Sequence, residues 1–434
     1  MTARDLVTSR IAARARRFPD LDLTPLDTAG LDRRDAALAF AIDRAVARRW
    51  LTLITVIESQ LNRSWPSLQP QVQAALLVGT AQLLLLERLP DHAVINEAVQ
   101  WTKVNAGPKP AGLVNAALRK VAAMRQETVA EHDPKRRDEV PLHDGRARRL
   151  SHPIFEADPL PRLAQQTSHP VELLKRWADR FGLQRSTELA QHSILRPPIL
   201  VTALGAAHQG CEPHDEPGFA VFSGDHRELE ALLEAHPPAR VQDPATAAAV
   251  NATADLRPKI IVDACAGKGT KARQLHETHP HARIIASDKN ADRLATLRAV
   301  ADRTARLEVV EPGRMRDLVG RVDLLVLDVP CSNTAVLARR PEAKYRFGPE
   351  SLAQLVDLQR QIIADHLSLL AESGHLLYST CSLEPQENEA QAQWIVRWHG
   401  LRIRRENLRL PQGLPGEPSR RYTDGGYFAL LQKK

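Results

Sequence analysis

The chain has few cysteines, few aromatic residues and no long uninterrupted apolar run. Its four cysteines form no Cys-x-x-Cys pair, which excludes the common zinc ribbons and a disulfide framework. We therefore expect reduced thiols, no metal and a cytoplasmic location. Phe, Trp and Tyr amount to 4%, so platforms for stacking nucleobases are scarce.

The apolar pattern also argues against a membrane protein. The most apolar stretch, residues 74–89, is interrupted by Gln82, which predicts a buried helix too short to cross a bilayer. The N-terminus contains several Arg residues but no apolar run behind them, so we expect no secretory signal.

Charge is the first positive indication of function. Lys and Arg number 59 against 52 Asp and Glu, a formal net charge of +7, which suits a polyanionic partner such as nucleic acid. An ordinary Arg-rich protein would show the same excess. With 434 residues, 43% of them hydrophobic, the chain can build two or three domains.

Four intervals differ in their pattern. Residues 1–124 show helical periodicity, as in the stripe Val72, Ala75, Leu76, Gly79, Leu83 and Leu86, and predict an all-α bundle. Residues 125–165 are rich in charge and Pro and predict a solvated linker. Residues 166–238 predict a small connecting α/β subdomain, and residues 239–434 predict the largest domain.

The last interval alternates short apolar strands with helices. The strands lie in KIIVDACAGKGT, ARIIASD, VDLLVLDVPCS and GHLLYSTCS. This alternation predicts an α/β fold with a parallel sheet covered by helices on both faces. Ligands of such sheets bind outside the carboxyl ends of the strands, and each of these strands ends in residues with chemical potential.

A glycine-containing turn follows the first strand and predicts a nucleotide-like cofactor. The residues of this turn are Cys265, Ala266, Gly267, Lys268, Gly269, Thr270 and Lys271. Asp288 ends the second strand 19 residues after Gly269, the usual position of an acid that binds ribose hydroxyls. The alternatives are a glycine turn without a ligand and a helix N-cap at Asp288. An ATP-binding P-loop is disfavoured because Gly269, and not Ser or Thr, follows Lys268.

Two cysteines follow neighbouring strands. Cys331 lies three residues after Asp328, and Cys381 lies in Ser-Thr-Cys-Ser. Cysteines are often small buried hydrophobic residues, but these two share the ligand edge of the sheet. Carbon 5 of cytosine is a poor nucleophile until a thiolate adds to carbon 6, and a carboxyl group near ring nitrogen 3, here Asp328, would stabilise that adduct.

These motifs resemble the RsmB/Sun group of ribosomal RNA small-subunit methyltransferases, which form 5-methylcytosine. VDACAGKGTKARQL is similar to the cofactor loop of the group, and DVPCSNTAVLARRPEAKYRF and LLYSTCSLEPQENEAQ are similar to its two cysteine motifs. DGGYFALLQKK resembles its C-terminal strand, and LLVGTAQLLLLERLPDHAVINEAVQWTK resembles its NusB-like RNA-binding domain. The resemblance covers nearly the whole chain and implies a class I Rossmann-like methyltransferase domain preceded by a NusB-like bundle.

The resemblance also implies roles for individual residues. Cys381 would be the nucleophile and Cys331 the thiol that assists product release, with Asp328 near the cytosine and the methionine moiety. Residues 265–271 and Asp288 would bind S-adenosylmethionine. The segment after Cys331 would lie near the RNA backbone or form a solvated loop; its basic residues are Arg339, Arg340 and Lys344.

The chain departs from the pattern of the group in several places. Lys268-Gly269-Thr270-Lys271 stands where Pro-Gly-Gly-Lys is usual. The acid expected on the adenine side after the third strand is missing, and Glu311 is the substitute. The stretch after RPP lacks the usual Arg and Asn, and QDPATAAAV follows the expected Gln-Asp motif only loosely.

The sequence therefore predicts a monomeric S-adenosylmethionine-dependent cytosine-5 methyltransferase that acts on small-subunit ribosomal RNA. One alternative is a non-catalytic RNA-binding or ribosome-assembly factor with a degraded cofactor loop. The other is a methyltransferase that acts on transfer RNA or protein. The helical N-terminal domain favours ribosomal RNA over the latter.

Overall fold

The computed structural model describes residues 2–21, 24–87, 89–202, 208 and 210–433. Within them the chain forms two compact units. The first comprises the chain up to Arg196 together with Leu337–Gly348 and Leu414–Glu417. The second comprises Pro197–Val336, Pro349–Gly413 and the chain from Pro418 onward. In the described part of the chain, no helix is long and apolar enough to span a bilayer.

The first unit begins with a helical bundle, as predicted. Its helices are α1 (Ala3–Ala15), α2 (Arg33–Glu58), α3 (Pro70–Leu85), α4 (Asp91–Ala106) and α5 (Pro108–Met124). A capping box of Thr2 and Asp5 begins α1, and Pro108 occupies the first turn of α5, where its missing N–H costs nothing.

Helix α3 is the centre of the bundle. The sequence predicted one apolar stripe, but every residue from Val72 to Leu84 is buried, because α1, α2, α4 and α5 all pack against this helix. At Gly79 an added Cβ would lie 2.6 Å from Leu118 Cδ1. The glycine thus allows the close approach of α5.

The interval predicted as a solvated linker is instead folded. It contains an antiparallel sheet in the order β1-β3-β2, formed by β1 (Arg125–Val129), β2 (Glu139–Pro141) and β3 (Ala147–Leu150). Phe155 is fully buried in the core of the first unit. Glu139 is 1% exposed and pairs with Arg136 and Arg149. The prediction of a solvated linker was wrong, because the interval forms a sheet and buries Glu139 and Phe155.

Residues 166–238, predicted as one subdomain, are divided between the two units. Helices α6 (Pro159–Thr167), α7 (Val171–Phe181) and α8 (Leu183–His192) complete the first unit. The second unit begins with β4 (Ile199–Thr202), β5 (Cys211–Pro213), β6 (Phe219–Phe222), α9 (His226–Ala235) and β7 (Arg240–Val241). These strands form a sheet in the order β5-β6-β4-β7.

The predicted α/β domain makes up the rest of the second unit. In chain order its elements are α10 (Pro244–Asn251), β8 (Ile260–Asp263), α11 (Thr270–Thr278), β9 (Arg283–Ala286), α12 (Ala291–Ala301), β10 (Leu307–Val309) and β11 (Val322–Asp328). A short helix, α13 (Ala343–Arg346), belongs to the first unit. Then follow α14 (Pro349–Leu367), β12 (Leu370–Thr380), α15 (Glu389–His399), β13 (Leu401–Arg409) and β14 (Gly426–Lys433).

The main sheet has the order β10-β9-β8-β11-β12-β14-β13. Strands β10, β9, β8, β11 and β12 run parallel, and β14 pairs antiparallel with both β12 and β13. Alternate residues of β11 enter the cores on opposite faces, Leu325 on one and Leu324 on the other. The four strands predicted from the sequence are confirmed, and their carboxyl ends share one edge.

Candidate active site

The glycine turn (residues 264–270) links β8 to α11. Gly267 and Gly269 have φ values of +58° and +90°, a region that favours glycine. The turn is closed by a 2.9 Å bond from the Gly269 N–H to the Ala266 carbonyl. A Cβ at Gly269 would lie 2.9 Å from Leu297 Cδ1 on α12, whereas one at Gly267 would meet nothing within 4 Å. Gly269 therefore fixes the packing, and Gly267 leaves open space beside the turn.

Asp288 lies beside this turn, just after β9. It is 7% exposed, and its Oδ2 accepts the Gly267 N–H at 2.9 Å. Its Oδ1 accepts the Asn290 N–H at 2.8 Å. The N-cap of α12 is Asn290, so Asp288 is not simply the helix cap that the alternative reading required.

Glu311 is placed apart from this group. Its side chain is 57% exposed and pairs with Arg298. It precedes a short 3₁₀ turn, Pro312–Leu318. The carboxylate thus has a partner on the surface, and a role toward an adenine stays a prediction.

Lys271 and Asp328 connect the glycine turn to the thiol region. Lys271 Nζ lies 2.7 Å from Asp328 Oδ2, with the lysine side chain 9% exposed. The hydroxyl of Ser379 donates to Asp328 Oδ1 at 2.8 Å. Burial lowers the pKa of Lys271, but the charges of Asp328 and then Cys381 outweigh it, so the net pKa is raised. A stable positive charge therefore lies near Cys381.

Asp263, at the end of β8, is an additional buried carboxyl group. It is fully buried, its Oδ1 accepts only a long 3.4 Å bond from the Cys265 N–H, and its Oδ2 has no partner. Burial first, and then the charge of Asp328, raises the pKa of Asp263 to about 7. Burial first, and then the charge of Asp263, also raises the pKa of Cys265, which makes that thiol a poor nucleophile.

Charged groups of both signs line the turn. Asp263, Asp288 and Asp328 lie near Lys271, and Arg293 lies 3.9 Å from Asp288. The open space at Gly267 gives a ligand access to the turn. The open turn beside Asp288 fits a ligand with ribose hydroxyls, such as S-adenosylmethionine.

The two thiols meet at the ends of β11 and β12. These strands pair in parallel, with Asp328 opposite Ser379, which brings the Cys331 turn (residues 329–335) against the Cys381 turn (residues 381–388). The Cys381 N–H donates to Cys331 Sγ at 3.2 Å. A hydrogen bond with Cys381, followed by burial, raises the pKa of Cys331 well above its usual range. The raised pKa disfavours Cys331 as the nucleophile.

Sequence reasoning missed the residues that support these turns. Ser332 and Ser382 each directly follow a cysteine, and both donate to the buried carboxylate of Glu387. The signal was present in the repeated Cys-Ser pairs and in PQENE. Only the fold shows that these residues meet.

The position of Lys344 contradicts the prediction that this residue faces RNA or lies in a solvated loop. It is fully buried in the first unit, and its Nζ donates to the carbonyls of Arg48 and Thr167 at 3.0 and 3.1 Å. Burial lowers the pKa of Lys344 well below its usual range. Neither RNA nor solvent is its partner in this arrangement; Lys344 is a structural residue.

The described residues contain no group of three or more His, Cys, Asp or Glu arranged to hold a metal ion. The absence of a metal, predicted from the cysteine spacing, stays a prediction.

Two parts of the chain match known protein families. Residues 253–421 match the family described as 16S rRNA methyltransferase RsmB/F, and residues 4–123 match the NusB family. The chain is 29% identical over 420 residues to a Vibrio cholerae protein named ribosomal RNA small subunit methyltransferase B, covering 92% of this chain and 90% of that one.

Solved structures show the same fold. A structure titled PH0851 aligns with a TM-score of 0.71 at 18% identity, covering 100% of this chain and 99% of that one. NSun6 from Pyrococcus horikoshii with SFG aligns with a TM-score of 0.50 at 16% identity, covering 61% and 98%. At these identities the likeness establishes the architecture alone.

Proposed function

We propose that the chain is a member of the RsmB/F family of ribosomal RNA methyltransferases, which its residues 253–421 match beside a NusB-family domain, and that it methylates carbon 5 of a cytosine in small-subunit ribosomal RNA. The observation that carries the proposal is the meeting of two thiols, 3.2 Å from the Cys381 N–H to Cys331 Sγ, beside the Lys271–Asp328 pair. Cys381 is the nucleophile.

The cofactor is S-adenosylmethionine, which supplies an electrophilic methyl group when bound. Residues 265–271 and Asp288 would hold it, with Glu311 as the proposed acid on the adenine side. The NSun6 structure with SFG is a relative in fold with a bound ligand and supports a ligand site in this architecture.

The residues of the chain divide the chemistry among them. The Cys381 thiolate adds to carbon 6 of a cytosine that is unpaired or flipped out of its helix. Asp328, held by Lys271 and Ser379, stabilises the adduct at ring nitrogen 3. After carbon 5 is methylated, a base removes its proton and the Cys381–carbon 6 bond breaks, assisted near Cys331.

The decisive experiment is transfer of labelled methyl to unmodified small-subunit ribosomal RNA, free and assembled in particles. Label in 5-methylcytosine is expected with the wild type and none with Cys381→Ala. Cys331→Ala is expected to accumulate a covalent protein–RNA adduct. Cys211→Ser is the matched control, because Cys211 lies in β5, outside the thiol turns.

The contact surface for RNA in this proposal is the α4–α5 hairpin. Residues 98–126 contain no Asp or Glu. Of their five basic residues, Arg125 pairs with Asp91, and the other four, Lys103, Lys109, Arg119 and Lys120, are exposed. The arginines of α1 are used internally instead: Arg4 pairs with Glu97, and Arg14 pairs with Asp43. The hairpin is thus the more suitable phosphate surface.

Charge reversal tests this surface. We expect Lys109→Glu with Lys120→Glu to weaken RNA binding and to lower the slope of log K against log salt by about 1 to 2. Lys175→Glu, an exposed lysine of α7 outside the hairpin, is the control. Equal slopes for the double variant and the control would refute the assignment.

The structure weakens one argument for a non-catalytic assembly factor. A degraded cofactor loop was the main argument for a non-catalytic assembly factor, but the altered residue Thr270 already belongs to α11, and Gly267 and Gly269 still form the turn. Folded, RNA-binding protein that transfers no methyl to RNA or particles would nevertheless establish that rival.

A transfer RNA enzyme is best tested by competition between transfer RNA and ribosomal RNA with the full chain. Deletion of residues 1–124 is a poor test, because it removes the Arg48 carbonyl that binds Lys344. Preferential methylation of transfer RNA would support this rival. The proposal further holds that the protein acts as a cytoplasmic monomer.

A further inference from the structure

Glu387 is a buried carboxylate that joins the two thiol turns. It is fully buried and lies in the Cys381 turn, just before α15. Its Oε1 accepts the Ser332 N–H and the Gln359 side-chain amide, both at 2.9 Å. Its Oε2 accepts the hydroxyls of Ser332 and Ser382, both at 2.5 Å. All four donors are neutral, so the carboxylate is solvated by hydrogen bonds rather than by a cation.

The two serines that bond Glu387 are the residues next to the two cysteines. Ser332 follows Cys331 and Ser382 follows Cys381, so one carboxylate fixes the backbone next to both thiols. Further bonds tie the turns together: the Ala335 N–H donates to the Cys381 carbonyl at 3.0 Å. A displacement of Glu387 would therefore move both sulfur atoms.

The charge of Glu387 has a second effect. After the hydrogen bond with Cys381, burial and the charge of Cys381, the charge of Glu387 also raises the pKa of Cys331. A backbone bond involving Asn333 acts weakly in the opposite direction. A buried negative charge opposes formation of a second one nearby.

We propose that Glu387 is a positioning residue that holds the Cys331 and Cys381 turns together through Ser332 and Ser382. The use of Cys381 as the nucleophile rests on the proposed function. The effect of Glu387 on the two turns does not, since it exists in the free protein.

The contact is tested in the free protein by alkylation of the full chain. Glu387→Gln preserves size but replaces the oxygen that accepts both serine hydroxyls. The rate of Cys331 modification by iodoacetamide, followed for each cysteine by mass spectrometry, is expected to rise severalfold, because the loosened turns open more often to the reagent. Thr253→Val is the matched control, because it removes a buried hydroxyl that bonds His279 away from the turns. A Cys331 rate equal to that of the wild type would overturn the role of Glu387 in holding the turns.

The effect on catalysis is tested by Ser382→Ala, which removes one of the serine contacts to Glu387. We expect kcat for methyl transfer to fall roughly tenfold or more with KM for RNA unchanged. An unchanged kcat would overturn the positioning role, and this variant decides it even if Glu387→Gln does not fold. If the wild type transfers no methyl group, the proposed function fails, but alkylation still decides the effect of Glu387 on Cys331.

Discussion

Asp263→Asn should make the protein more stable at alkaline pH while leaving its stability at acidic pH nearly unchanged. The wild-type carboxyl group is fully buried, and burial followed by the charge of Asp328 raises its pKa from 3.8 to about 7. In the unfolded chain the same group ionises near its usual value. Between these two values, the folded state retains a proton that the unfolded state has released.

The sign and size of the effect follow from this difference. Because the folded pKa is the higher one, stability is fully present below about pH 4 and is lost as the pH rises to about 7. From pH 5 to pH 8 the loss amounts to about 3 kcal/mol, at about 1.4 kcal/mol for each pKa unit. The asparagine variant has no proton to lose, so it escapes this loss.

Thermal unfolding of the full chain across this pH range is the assay. The melting temperature of Asp263→Asn should exceed that of the wild type by roughly 5–10 °C more at pH 8 than at pH 5. Asp302→Asn is the control, since Asp302 is exposed at the end of α12 and its curve should parallel the wild type. Parallel curves for Asp263→Asn would refute the reasoning and would mean that Asp263 is ionised throughout.

Two further changes probe the neighbouring groups. Lys271→Met removes the only ammonium bonded to Asp328 in the described contacts. We expect a destabilisation of about 1–3 kcal/mol by thermal unfolding, and an unchanged melting temperature would contradict the role given to Lys271. Gly269→Ala introduces a Cβ at a φ of +90° and should lower the free energy of unfolding by about 2–3 kcal/mol. In the control Gly313→Ala the added Cβ meets nothing within 4 Å, so its stability should be close to that of the wild type. Equal melting temperatures for the two alanine variants would contradict the packing argument.

The parallel sheet and the composition of the site could be predicted from local sequence. Each strand is a short apolar run followed directly by the residues that matter, as in β11, which ends at Asp328 three residues before Cys331. Parallel strands bring their carboxyl ends to one edge. The meeting of Asp328, Cys331 and Cys381 therefore follows from the pattern once the strands are recognised.

Features that depend on partners distant in sequence could not be predicted in this way. Glu139 and Lys344 are charged residues in charged stretches, which normally predicts exposure, yet both are buried. Their partners are Arg149 in one case and the Arg48 and Thr167 carbonyls in the other. Composition counts charged residues but does not show which of them are paired, so the composition of residues 125–165 predicts a linker.

The segment Leu337–Gly348 has a consequence for the order in which the protein is made. It belongs to the first unit, where Tyr345 accepts the Trp50 N–H at 3.1 Å and contacts Ser168 Oγ at 2.9 Å. On a ribosome, Trp50 is synthesised long before Tyr345, with an interval on the order of 15 to 60 s at usual rates of translation. During that interval the N-terminal bundle must wait with part of its core unfilled, so a nascent chain arrested before residue 345 should be more open to proteases and chaperones than the same bundle in the finished protein.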